Sequence, residues 1–212
     1  MPSCCARDYE KLFSGKTAAR DARRFRQRGL RGSARTLTEL AGDVDGASVL
    51  EVGGGVGGIE LVLLEAGASR ATNVELSSAY ENAARELLAE RRMSERVDRR
   101  VADFVVGADG VEPHDVVVMH RVVCCYPDVD ALVGAAAART QRRLLLTYPQ
   151  HRFLVRAAMA VVNVFLRLSG STFRVYVHPV ARIDRAAAQH GLSVAARVRH
   201  GLLWESSAFA RA

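Results

Sequence analysis

The residues best suited to chemistry begin in one stretch, Val49-Leu50-Glu51-Val52-Gly53-Gly54-Gly55-Val56-Gly57-Gly58. Glycines at this density let a backbone turn tightly and come close to a ligand. Gly53, Gly55 and Gly58 satisfy the spacing G-x-G-x-x-G, which by itself suggests a dinucleotide. Glu51 points elsewhere. A carboxylate two places before the first glycine would repel a pyrophosphate but would hold a ligand bearing an ammonium group. Glu75 follows 22 residues after Gly53, where a carboxylate can accept both hydroxyls of a ribose. Asp103, just before Phe104, can meet an adenine edge through its side chain and the neighbouring backbone. Ribose, adenine and a cationic amino-acid tail together describe S-adenosylmethionine.

Other reactive side chains are more scattered. His120 is the best-placed titratable group and the candidate catalytic residue. Tyr148, His151 and His178 stand behind it. The four cysteines form adjacent pairs, Cys4-Cys5 and Cys124-Cys125, which do not match the C-x-x-C spacing of zinc sites, so no metal is expected. Small apolar packing behind the ligand is one role for Cys124 and Cys125. The other is a thiophilic site, with Cys4-Cys5 folding over to join them, which would suit a thiol or metalloid acceptor.

The elements that must position these groups alternate. Strands are expected at Ala47–Val52, Ala71–Val74, Val97–Val101, Asp115–Met119 and Arg142–Thr147. Helices are expected at about Ile59–Glu65, Ala79–Arg91 and Asp130–Ala138. That rhythm implies a parallel sheet covered on both faces, with Glu51, Glu75, Asp103 and His120 at carboxyl ends of strands. Leu192–Arg199 and Trp204–Ala210 break the rhythm: no helix fits between them, so they must pair antiparallel. Between lies Phe153–Leu168, whose polar positions Arg152, Arg156, Asn163 and Arg167 form a narrow helical stripe. It reads as a helix buried over most of its surface that caps an apolar substrate, with contact to a membrane as the alternative.

Of the 212 residues, 49% are hydrophobic and 25% charged, which excludes a disordered chain and supports one buried core. No signal peptide or membrane-spanning run is read, so a cytosolic, reduced setting without stable membrane insertion is expected. The net charge of +7 is uneven: residues 1–40 hold ten basic and four acidic side chains, the remainder 20 and 19. Residues 1–40 are therefore read as a basic helical cap and 41–212 as the ligand-binding domain. Arg20, Arg23, Arg24, Arg26, Arg28, Arg31 and Arg35 could attract an anionic ligand. No nucleic-acid module accompanies them, which ranks nucleic acid behind a small-molecule acceptor.

Residues 47–119 with the closing hairpin resemble a class I S-adenosylmethionine-dependent methyltransferase. The resemblance implies an α/β fold: a Rossmann-like, seven-stranded, mostly parallel sheet with an antiparallel last strand, plus the N-terminal helical cap. It implies that Glu51, Gly53, Gly55, Gly57, Glu75, Leu76, Asp103, Phe104 and His120 hold S-adenosyl-L-methionine. Three later stretches are similar to the magnesium-protoporphyrin O-methyltransferase branch: Arg121-Val122-Val123-Cys124-Cys125-Tyr126-Pro127, Leu144-Leu145-Leu146-Thr147-Tyr148-Pro149 and Thr172-Phe173-Arg174-Val175-Tyr176-Val177-His178. That branch methylates a carboxylate on a large apolar molecule. Here Cys125 replaces the histidine relatives place before Tyr-Pro, and Phe13 falls where an N-terminal tyrosine is proposed to act; Tyr9 and Arg26 are further candidates for the cap. The expectation is methylation of an oxygen, a carboxylate or acidic hydroxyl, on a largely apolar small molecule. Cys125, Tyr148 and His151 are expected to bind that acceptor. A cofactor-binding domain without turnover and a nucleic-acid binder are the other readings.

Overall fold

The computed structural model describes residues 12–211. β1 (Ser48–Val52) is buried along its whole length, lying between β2 (Arg70–Glu75) and β4 (His114–His120) and parallel to both. Its side chains alternate between two cores, as the pleat requires. Val49 packs with Leu37, Ile59, Val116 and Val118 on one face. Leu50 and Val52 join Val117, Met119 and Leu144 on the other. Burial on both faces explains why β1 and β4 read as continuous apolar runs rather than alternating ones.

The remaining strands are β3 (Val97–Val101), β5 (Thr140–Pro149), β6 (Leu192–His200) and β7 (Trp204–Arg211). They form one seven-stranded sheet in the order β3-β2-β1-β4-β5-β7-β6. β7 runs antiparallel to both β5 and β6, and the other six strands are parallel. The chain passes from β1 outward to β3, then crosses to β4 on β1's other side. A crevice opens over the carboxyl ends of β1 and β4 at such a reversal.

On one face lie α1 (Gly15–Arg28), α2 (Ser33–Ala41), α3 (Gly58–Glu65) and α4 (Glu81–Glu90). α1 buries Ala18, Ala22 and Phe25 against Leu61, Tyr80 and Leu87, leaving most of its arginines exposed. α2 buries Leu37 and Ala41 in the core of the sheet itself. The opposite face is covered by the single turn α5 (Phe104–Gly107), α6 (Val129–Ala138) and α8 (Val180–Ala188). Ala136 and Ala137 of α6 meet Ile183, Ala186 and Ala187 of α8, small side chains that permit close approach.

α7 (Phe153–Leu168) corrects the sequence reading. The expected core-packing cap instead buries Val155 alone, and Phe153 and Leu168 are 79% and 77% exposed. Hydropathy recorded that the side chains are apolar, but not that any element covers them. Among the described residues, no helix is long and apolar enough to cross a membrane. β5 also runs two residues further at each end than expected, because its partners β4 and β7 supply hydrogen bonds that far.

Candidate functional site

The loop from β1 to α3 turns through Gly53 (φ 64°) and Gly57 (φ 78°), a left-handed region costly for side-chain-bearing residues. A Cβ on Gly53 would also lie 2.6 Å from Val122 Cγ2, and one on Gly57 would overlap Glu60 Oε1. The loop is tied down by Glu75 at the end of β2. Its Oε2 accepts from the Gly55 amide and its Oε1 from the Ser77 amide, both at 2.9 Å. Burial raises this carboxyl, while those backbone donors pull it back.

Beneath the loop is a buried polar network that the sequence reading missed. Glu51 and Glu60 are 2% and 0% exposed, and Glu51 Oε2 accepts from the Glu60 amide at 2.9 Å. Asn73 Nδ2 donates to Glu60 Oε2 at 2.7 Å. Arg99, from β3, lies 3.5 Å from Glu60 and donates to Glu81 at 3.0 Å and to the Gly55 carbonyl at 2.9 Å. Burial, reinforced by repulsion from Glu60, holds Glu51 well above the usual carboxylate range. Burial likewise pushes Glu60 up to about 7 against the pull of Arg99. A glutamate inside the apolar run Ile59–Leu64 was the available signal for Glu60. Arg99 had none, since alternating polar residues on an edge strand normally face solvent.

Two depressions meet at Gly53. The first, about 580 Å³ out to open solvent, is apolar and is walled by Val52, Leu76, Phe104, Val122, Tyr126 and Leu132, with Asp103 and Cys125 at its lining. Asp103 Oδ1 caps α5 by accepting from the Val105 amide at 3.0 Å. Its Oδ2 is buried and has no hydrogen-bond partner among the described residues. An orphaned acceptor in an apolar wall is costly unless a ligand donates to it. The structure thus brings Gly53, Leu76, Asp103 and Phe104 into one pocket. Cys125, expected beside the acceptor, lies in this same pocket with them.

The second depression, about 1040 Å³ out to open solvent, is lined by Glu51, Gly54, His120 and Arg121 together with Arg24 and Arg31. His120 Nε2 lies 3.0 Å from Ser33 Oγ at the start of α2. Burial and the charges of Arg121 and His200 push its pKa down to about 3, so the imidazole is neutral. Arg121 was not singled out as a site residue. It holds φ 60° without being glycine, a strain that marks positions fixed by their surroundings. Its guanidinium lies 4.5 Å over the Trp204 ring and reaches Ser33 Oγ at 3.4 Å. It has no carboxylate partner among the described residues.

Other expected residues lie elsewhere. Tyr148, expected to bind the acceptor, is inside β5 and 1% exposed. Its hydroxyl donates to Glu205 at 3.2 Å and lies 2.6 Å from Ser207 Oγ, and burial pushes its pKa up to about 12. His151 lines a separate groove with Arg152, Arg197 and Arg199. His178 Nε2 lies 3.0 Å from the Tyr126 carbonyl. The Phe13 carbonyl accepts from Ser77 Oγ at 2.9 Å, and its ring meets Phe173 edge-on. Arg26 pairs with Glu90 on α4 rather than facing the site. Cys4, Cys5 and Tyr9 lie outside the described residues. Of the alternative thiophilic site, only Cys124 and Cys125 are described, with their sulfurs 3.8 Å apart.

Compared with known proteins, residues 22–202 match the family described as a methyltransferase domain. No curated protein matches the sequence. Among solved structures, magnesium protoporphyrin IX methyltransferase from Synechocystis PCC 6803 with bound S-adenosylhomocysteine is similar at TM-score 0.70 and 20% identity, covering 97% of this chain and 98% of that one. An O-methyltransferase family protein from Burkholderia thailandensis is similar at TM-score 0.69 and 17% identity, over 94% and 63%. Geranyl diphosphate C-methyltransferase from Streptomyces coelicolor A3(2) is similar at TM-score 0.68 and 15% identity, over 84% and 77%.

Proposed function

Because the chain belongs to the methyltransferase-domain family, we propose that it methylates a carboxylate or acidic hydroxyl of a largely apolar small molecule, with S-adenosylmethionine as donor. The observation that carries this reading is the pair of depressions joined at Gly53, one apolar and acidic at its end, the other walled by arginines. The donor set fits. The orphaned Asp103 Oδ2 would accept from the adenine amino group, flanked by Leu76 and Phe104. Glu75 would take the ribose hydroxyls through the lone pairs its backbone donors leave free. Glu51 would face the ammonium group, and an arriving cation favours the ionised form of a buried carboxyl. When bound, S-adenosylmethionine supplies an electrophilic methyl group.

The chain's own part is to hold an acceptor oxygen in line with that group, and positioning alone can supply up to ~7–11 kcal/mol. Arg121, Arg24 and Arg31 would draw in an acid and orient it, Arg121 with the planar fork that suits a carboxylate. A carboxylate, with a reference pKa near ~4, is ionised at neutral pH and needs no base. A neutral His120 pushed down to about 3 suits a positioning role, holding Ser33 and the start of α2.

The test is incubation of the protein with radiolabelled methyl donor and a metabolite extract, followed by identification of the labelled product. With the acceptor in hand, Arg121→Gln should raise KM about 10- to 100-fold, the ~1.5–3 kcal/mol of a charge-assisted hydrogen bond, and leave kcat within about threefold. A labelled thiol, metalloid or nucleic acid would overturn the oxygen assignment. An unchanged KM would remove Arg121 from it.

A further inference from the structure

α7 offers a surface that nothing in the methyl-transfer reading uses. Phe153, Leu154, Val161, Val164, Phe165 and Leu168 fall within an arc of about 120° at 3.6 residues per turn. No polar residue of the helix falls in that arc. Phe153, Leu154, Phe165 and Leu168 are each at least 67% exposed. The opposite row, Val155, Met159, Asn163 and Leu166, faces the protein. There Asn163 exchanges hydrogen bonds of 2.8 Å with the backbone N–H and carbonyl of Val175. The helix is thus anchored by one face and open on the other, and exposed apolar patches of this kind mark interaction sites.

Charge identifies the occupant. Arg156 and Arg167 lie together along one edge of the apolar arc, and Arg152 stands at the amino end of the helix. None of the three is ion-paired among the described residues. Between Asp130 and Asp184 the sequence holds eight arginines and no aspartate or glutamate. A second copy of this face would bring arginine borders together without an acid to neutralise them. A surface of anionic headgroups over an apolar interior matches both features, and an apolar face flanked by basic side chains is the pattern of helices that lie in a bilayer interface. At 16 residues α7 is too short to span. We infer that the outward face of α7 docks the protein reversibly on an anionic membrane surface, Phe153, Leu154 and Phe165 entering the acyl boundary while Arg152, Arg156 and Arg167 meet headgroup phosphates. The segment that anchors the inner face of α7 through Val175 is itself tied to the loop after β4, where the Tyr176 amide donates to the Cys124 carbonyl at 2.8 Å.

The experiment is co-sedimentation of the full chain with two vesicle types, phosphatidylcholine alone and an equal mixture with phosphatidylglycerol. Binding to the mixed vesicles should be at least tenfold stronger and should weaken as salt is raised. Combining Phe153→Ser, Leu154→Ser and Phe165→Ser should reduce it at least tenfold, with a wild-type melting curve as the control for folding. Arg152→Glu with Arg156→Glu and Arg167→Glu should do the same, and decides the matter if the serine variant melts early. Equal binding to both vesicle types, or binding that survives the arginine reversals, overturns the proposal. So does a concentration-dependent dimer that the serine changes dissolve, with no vesicle binding, since the occupant would then be a second copy.

Discussion

Arg99→Met should unbalance the network beneath the glycine loop in a way that depends on pH. The Arg99 side chain is 5% exposed, and its guanidinium lies 3.5 Å from Glu60 and 3.0 Å from Glu81 and donates to the Gly55 carbonyl. Removing one partner of a buried ion pair costs about 3–5 kcal/mol, unless the stranded group can neutralise itself. Glu60 can, by taking a proton. Its carboxyl is pushed from an ordinary value of 4.5 up to about 7 chiefly by burial, with Arg99 opposing. A carboxyl whose folded pKa exceeds its unfolded one binds more protons when folded. Stability is then highest below the unfolded value and falls as pH rises through the folded one. In the parent protein that loss runs from about pH 4.5 to about pH 7 and amounts to roughly 3 kcal/mol at 1.36 kcal/mol per unit. Without Arg99 the folded value climbs higher, so the loss continues to higher pH. Below pH 6 the variant should lose only its charge-assisted hydrogen bonds to Gly55 and Glu81, about 1.5–3 kcal/mol. At pH 8.5 the deficit should reach about 3–5 kcal/mol, lowering Tm by about 2–4 °C per kcal/mol. Urea unfolding of parent and variant at pH 5.5 and 8.5 measures both. Adding Glu60→Gln should recover most of the pH-dependent part. An equal deficit at the two pH values, or no recovery with Glu60→Gln, would refute the reasoning.

Two further outcomes concern the site. Asp103→Asn keeps an oxygen to cap α5 but puts a donor where the orphaned acceptor stands. Calorimetry should show S-adenosylhomocysteine binding at least tenfold weaker, about 1.4 kcal/mol or more, with little change in Tm; unaltered affinity would detach Asp103 from the adenine. With donor saturating and an acid as acceptor, kcat should stay flat from pH 6 to 8, because His120 is held at about 3 and the acceptor is already ionised. A limb near pH 6.5 that Asn at position 120 removes would restore a base role to His120.

The order of elements and the glycine loop were written locally in the chain. Apolar runs between helical repeats predict a two-sided parallel sheet, because only such a sheet buries both faces of a strand. The glycines of 53–58 and the acids Glu51, Glu75 and Asp103 could be placed because strand ends converge once the order of strands is known. Glu60 and Arg99 meet only when β3, α3 and α4 are stacked, across 39 residues of sequence. Arg121 became a candidate when Trp204 and Ser33 closed around it from opposite ends of the chain. Tyr148 is withdrawn from the acceptor because β7 pairs with β5 from Arg143 to Pro149, which keeps Tyr148 inside the sheet with its ring in the core and its hydroxyl on Glu205 and Ser207. α7 shows the same division from the other side: sixteen residues specify an amphipathic helix, yet which face finds cover is decided by what packs beside it. Local pattern fixes the backbone's hydrogen bonds and the polarity of each side chain, whereas burial and partnership depend on segments distant in sequence, and those only the tertiary structure brings together.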